Sequence, residues 1–209
     1  MNGLLRRADA ILRGRPTAGS WLVVLGCGMA YGGVMGSFGW RAGQAAYSAV
    51  KVPMLLLATL ALSLPSYFVL NTLLGVRSDF AEAWRAVVAS QAGLTIILVS
   101  LAPITAFWYA SSPNYRAALL FNALMFAVAS AGAQGLLRRA YRPLIARDPR
   151  HRGLLRTWIV LYAFVGIQMG WNLRPFVGAP EMPVRFFREG AWENAYVAVS
   201  RMAWEALAR

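Results

Sequence analysis

Ionisable side chains are scarce where this chain is most apolar, and that scarcity excludes more functions than anything present assigns. One Cys (Cys27) and one His (His151) in 209 residues exclude a disulfide framework. They equally exclude any ordinary zinc, haem or iron–sulfur site built by this chain alone. No cofactor or metal is expected. Acidic residues number eight, and Lys is represented by Lys51 alone. No Asp, Glu, Lys, Arg or His is expected at mid-span of the long apolar stretches, which argues against proton relays, voltage sensing and transport coupled through buried charge. A Ser/His/Asp set, paired intramembrane acids and an HExxH pattern are missing, so an intramembrane hydrolase has nothing to work with. The expectation is a protein that is not an enzyme.

What is present is apolar length. Hydrophobic residues make up 58% of the chain and the mean hydropathy is +0.49, which moves the prior from a soluble globule to a membrane bundle. Five stretches, 21–38, 52–75, 86–110, 117–137 and 157–173, are long and apolar. A helix rises about 1.5 Å per residue, so crossing a hydrocarbon core of about 30 Å takes about 20 apolar residues. Without water, each stretch must satisfy its own backbone hydrogen bonds and is therefore helical. The expected fold is all-α, an integral membrane bundle of five transmembrane helices over 21–173. Trp21 and Trp40, Trp84 and Trp108, Tyr115 and Tyr141, and Trp158 and Trp171 bracket the spans as an interfacial aromatic belt does.

The two ends read differently. Residues 1–20 form a basic amphipathic segment: Leu4, Leu5, Ala8, Ile11 and Leu12 share one helical face, Arg6, Arg7 and Arg13 lie elsewhere, and Pro16 ends it. Such a helix lies in the lipid interface. The tail, 174–209, opens irregularly and continues as an amphipathic helix from about Trp192, with Glu193, Arg201, Glu205 and Arg209 on one stripe. A stretch so interrupted by charge lies on the surface rather than crossing.

Orientation follows from the basic residues. With the N-terminus inside, segments 1–20, 76–85 and 138–156 carry four, two and seven, while the outer loops 39–51 and 111–116 carry two and one. That bias predicts a cytoplasmic N-terminus and an external C-terminus. The net charge of +13 is then explained by orientation and anionic lipid, not by nucleic acid. Arg138, Arg139, Arg142, Arg147, Arg150 and Arg152 form the densest basic run and are expected to contact lipid head groups. Asp79 and Glu82, three apart before the third span, resemble a capping box; an ion pair with the basic loop is the less economical alternative.

Three stripes of small residues stand out: Gly28, Gly32 and Gly36; Ala123, Ala127, Ala131 and Gly135; and Gly166 with Gly170. Missing side chains let helices approach closely, so dispersion contacts can hold them where no hydrophobic drive exists. Internal packing is the first expectation; a homo-oligomer or other membrane subunits remain open as partners. Pro65 and Pro103 kink spans two and three. With the polar residues Asn71, Gln91, Asn122, Gln134, Gln168 and Asn172 they mark a candidate path, although polar side chains in hydrocarbon usually bond one another as structural glue. Arg174, just past Trp171, can snorkel to phosphate or pair with Glu181.

The run from Tyr162 to Pro180, with Phe186-Phe187-Arg188, Phe68-Val-Leu-Asn71 and Leu101-Ala-Pro103, resembles a group of uncharacterised bacterial multi-pass membrane proteins over about residues 50–190. In architecture alone the chain is similar to Yip1-type five-helix membrane proteins. Neither resemblance implies an activity. The expected role is a structural, assembly or trafficking-like subunit of a membrane complex; the alternative is a small channel or facilitative transporter with a path between spans two and three.

Overall fold

The computed structural model describes residues 9–11, 19–188, 192, 194–198 and 204. It is all-α, with no strand among the described residues. Five helices carry the fold: α1 Ser20–Gly36, α2 Ala42–Leu73, α3 Phe80–Ser111, α4 Tyr115–Arg147 and α5 Arg150–Asn172. The last four are long and apolar enough to cross a membrane, whereas α1 has 17 residues, about 25 Å of helix.

The connections are short. A 3₁₀ turn over Phe38–Trp40 joins α1 to α2, another over Arg77–Asp79 leads into α3, and residues 112–114 and 148–149 are the remaining breaks. The helices therefore alternate in direction. One end of the bundle, the basic end, gathers 74–79 and 148–149; the other, the tail end, gathers 37–41, 112–114 and 173–188. Two terminations are legible in local chemistry. Gly75, at φ 71°, lets its N–H reach Thr72 O while Val76 N–H reaches Asn71 O, both at 3.0 Å. This double closure satisfies the last carbonyls of α2 and needs a left-handed residue. The Asn114 side chain accepts from Ala117 N–H at 3.1 Å and so starts α4.

Two boundaries correct the sequence reading. Residues 39–51 are not a loop: α2 begins at Ala42, which draws Gln44, Ser48 and Lys51 into the helix. The basic run 138–156 is helical apart from Asp148 and Pro149, so its arginines project from helices extended beyond their apolar parts.

Around the bundle α1 packs on α2 and α3, α3 on α4, α4 on α5, and α5 on α2, while α2 and α3 barely meet. The glycines of α1 set the first contact. A Cβ on Gly32 would run into the Ser48 carbonyl, and one on Gly36 would lie 2.6 Å from Gln44 O. The α3–α4 contact uses glycines outside the three stripes: a Cβ on Gly93 would collide with Leu136, and one on Gly132 would sit 2.6 Å from Ile97 Cδ1. One apolar cluster, including Tyr31, Met35, Leu98 and Met125, fills the tail half. A second, including Leu60, Tyr67, Tyr141, Leu154 and Trp158, fills the basic half.

Of the N-terminal segment, Asp9–Ile11 are helical and Ile11 is buried against Val24 and Ala92; the remainder of that expected helix lies outside the described residues. Ala195–Ala198 are helical, and Tyr196 stacks on Phe164 while its hydroxyl donates to Phe164 O at 2.7 Å. Glu193, Arg201, Glu205 and Arg209, the stripe of the expected tail helix, lie outside the described residues.

Candidate functional site: a roofed cleft between α4 and α5

Gln44, Ser48 and Lys51 sit at i, i+4 and i+7 and are all buried, so they form one polar ladder down a face of α2. Their partners are carbonyls of the segment after α5. Gln44 Nε2 donates to Pro175 O at 3.0 Å and Phe176 O at 3.1 Å, Ser48 Oγ donates to Phe176 O, and Lys51 Nζ donates to Pro175 O at 2.7 Å. Above them Arg41 Nη1 donates to Ala179 O at 2.6 Å, and from α4 the Tyr115 hydroxyl donates to Val177 O at 3.3 Å. An irregular segment at a helix end exposes carbonyls that need donors. The ladder supplies them and ties residues 175–179 across the bundle as a roof. Arg174–Pro175 is a cis bond.

Lys51 departs from the sequence reading, which puts it in an outer loop: it is fully buried two and a half turns inside α2, with Nζ also 4.9 Å from the Phe186 ring centroid. The signal was available: Gln44, Ser48 and Lys51 already keep helical spacing within the supposed loop.

Beneath the roof lies a cleft of about 1020 Å³. Leu119, Asn122, Ala123 and Phe126 of α4 form one wall, Ile167 and Gly170 of α5 the other, with Met35 and Leu55 behind and Arg174, Arg185 and Arg188 in the roof. It opens sideways, since Leu119, Ala123 and Ile167 line it and are exposed. At the basic end α4 and α5 close together, with Tyr141 and His151 ring centroids 6.4 Å apart; toward the tail end they part. Arg174 lies over Trp171 at 3.3 Å and Arg188 lies 4.9 Å from the same ring.

The residues singled out in the sequence are distributed as follows. Gly28, Gly32 and Gly36 are buried between α1 and α2. Gly166 faces Thr59 of α2, and Gly170 borders the cleft. Ala123, Ala127 and Ala131 are exposed, and a Cβ on Gly135 would meet nothing within 4 Å. The buried stripe of α4 is instead Ala118, Asn122, Met125, Ala129 and Ala133. Pro65 and Pro103 are both exposed, and α1 occupies the place between α2 and α3. The structure does not bring the two kinks together with Asn71 or Asn122.

Among the described residues, one bond joins two of these polar side chains, Gln168 donating to Asn172 on the same helix at 2.9 Å. Otherwise they bond Tyr hydroxyls and backbone. Asn122 Nδ2 donates to Tyr109 Oη at 2.6 Å and to Ala118 O, while its Oδ1 accepts from Tyr31 at 3.3 Å. Tyr162 donates to Gln91 Oε1 at 2.8 Å, and Asn71 donates to Tyr67 O. A phenol reaches farther than an amide, so aromatic residues bridge helices that amides alone could not. Gln134 Oε1 is buried with no hydrogen-bond partner.

At the basic end the less economical expectation is the one found. α3 starts at Phe80 as the spacing predicts, but Asp79 makes no side-chain cap bond. Asp79 instead meets His151 Nε2 at 2.9 Å and Arg147 at 3.6 Å, and Glu82 pairs with Arg147. Arg150 pairs with Asp148 at 2.7 Å and donates to Leu74 O at 2.8 Å. The Arg150 side chain and N–H hold the Asp148 carboxyl below its ordinary range. Arg138, Arg139, Arg142 and Arg152 are exposed, whereas Arg147 and Arg150 knit helix ends. No group of three or more metal-ligating side chains occurs among the described residues. No protein-family model, curated protein or solved structure matches this chain.

Proposed function

We propose that this protein is a non-enzymatic membrane subunit, a five-span bundle of the bacterial inner membrane with its basic end and N-terminus in the cytoplasm and its tail end outside. Its role is structural or in assembly: it joins other copies or other membrane subunits side by side. One observation carries this reading. The small-residue stripe of α1 is covered by α2, whereas Ala123, Ala127 and Ala131 of α4 are exposed, which suits close approach of another helix in a medium that provides no hydrophobic drive. α1 serves as a short first span, because an α-helical bundle of four long helices with α1 wedged between two of them leaves α1 at membrane depth. A transport path between α2 and α3 is the weaker reading, since α1 fills that place.

The test is assembly in mild detergent. The wild type is expected to run as a defined oligomer or with a stoichiometric membrane subunit. Ala127→Leu should lose that species while expression is kept, and Leu124→Ala should retain it. A wild-type monomer with no companion contradicts the proposal.

A further inference from the structure

His151 and Asn71 are fully buried in the basic half of the bundle, and each keeps one polar atom, Nδ1 and Oδ1, without a hydrogen-bond partner among the described residues. Both atoms are acceptors. Nε2 of His151 lies 2.9 Å from the Asp79 carboxylate, which holds the ring proton on that nitrogen and leaves a lone pair on Nδ1. Asn71 uses its Nδ2 to donate to Tyr67 O at 2.9 Å, and its amide oxygen is left over. Two phenols join these residues. Tyr67, one helical turn before Asn71 on α2, bonds the Tyr141 hydroxyl with its own. The Tyr141 ring stands at 75° to the His151 ring, with centroids 6.4 Å apart. Two hydroxyls hold two protons: one lies between the phenols, and the other is available to a further acceptor. Buried acceptors without donors are rare enough in folded proteins that each calls for a physical explanation.

The geometry points to a binding site for one water molecule enclosed by Tyr67, Asn71, Tyr141 and His151. The water accepts the second phenol proton and donates one proton to Asn71 Oδ1 and one to His151 Nδ1. Three bonds are the usual complement of a buried water, and every proton of the cluster is then used once. All four side chains are fully buried, which limits the occupant to a molecule of this size. Bound there, the water extends the Asp79–His151 pair into a chain that reaches Tyr67. That chain ties the starts of α3 and α5 to α4 and α2. The site is remote from the roofed cleft and from the exposed alanines of α4, so it stands independently of the assembly role.

His151 is the only histidine in the chain, so nitrogen-15 labelling of histidine reports on one ring in the full protein in detergent micelles. At pH 8 the wild type should carry its ring proton on Nε2. Nδ1 should appear as an unprotonated nitrogen, shifted from the free imine position by an accepted hydrogen bond. The ring Cε1 proton should show a direct Overhauser effect to a long-lived water. Asn71→Leu, which removes one acceptor, should abolish that effect and return Nδ1 toward the free imine position, with the Nε2–H signal kept. Should that variant fail to fold, Tyr67→Phe with Tyr141→Phe makes the same test by removing the phenol donor and keeping both rings. A ring proton on Nδ1, a doubly protonated ring at pH 8, or Nδ1 at the free imine position in the wild type overturns the proposal. So does an accepting Nδ1 with no Overhauser effect to water, or a water signal unchanged in either folded variant.

Discussion

Lys51 and Pro175 are 124 positions apart in sequence, yet the ammonium of one donates to the carbonyl of the other at 2.7 Å. The lysine is fully buried, and its bond closes α2 onto the segment that leaves α5. A buried charge is retained only where polar partners meet it. Here the partner is a backbone carbonyl with the Phe186 ring nearby.

Lys51→Met removes the donor with little change in side-chain length. A hydrogen bond to a charged group contributes about 1.5–3 kcal/mol, so the thermal transition should fall measurably. Trypsin should also cleave after Arg185 faster than in the wild type. Ser48→Ala, which removes a neutral donor, should do the same to a smaller extent, about 0.5–1.5 kcal/mol. Unchanged cleavage in Lys51→Met would mean that the roof is held by other contacts.

Gly32→Ala should destabilise the monomer itself, because its Cβ would enter the backbone of α2 at Ser48. Overpacking of this kind costs about 1–3 kcal/mol. At Gly26 a Cβ would meet nothing within 4 Å, so Gly26→Ala should leave the transition in place. A thermal series in detergent separates the two, and equal tolerance would contradict the α1–α2 contact.

At the basic end the ion pairs differ in worth. Arg147 is half exposed and solvent screens its pairs, so Arg147→Ala should leave the thermal transition nearly in place. Asp79→Ala should cost more, about 1–3 kcal/mol, because it leaves the buried Nε2 of His151 without its carboxylate. Reversal of that order would show that the Asp79–His151 contact is incidental.

The all-α character, the four long apolar helices and the close approach at Gly32 and Gly36 were legible in the sequence, since apolar length and small-residue spacing act within one helix. Boundaries were less legible. Residues 39–51 look like a loop by hydropathy because Gln44, Ser48 and Lys51 dilute it, and their helical spacing acquires meaning only when 175–179 is brought across them. The stripe Ala123, Ala127, Ala131 and Gly135 has the same spacing as the α1 stripe but no covering helix; spacing reports what a face permits, not what occupies it. The bonds of Asn122 to Tyr31 and Tyr109, and of Gln91 to Tyr162, depend on which helices are neighbours. So does the cleft, which arises from the parting of α4 and α5 and has no local sequence signature.

The most direct test of the account is sidedness. Single cysteines at Met182, exposed in the roof segment, and at Ala146, exposed near the end of α4, are introduced as Met182→Cys and Ala146→Cys in a Cys27→Ser background. They are then treated in intact cells with a membrane-impermeant thiol reagent. A five-span bundle with its basic end inside predicts labelling at position 182 in intact cells and at 146 only after permeabilisation. Labelling of both from one side, or of 146 alone in intact cells, would contradict it.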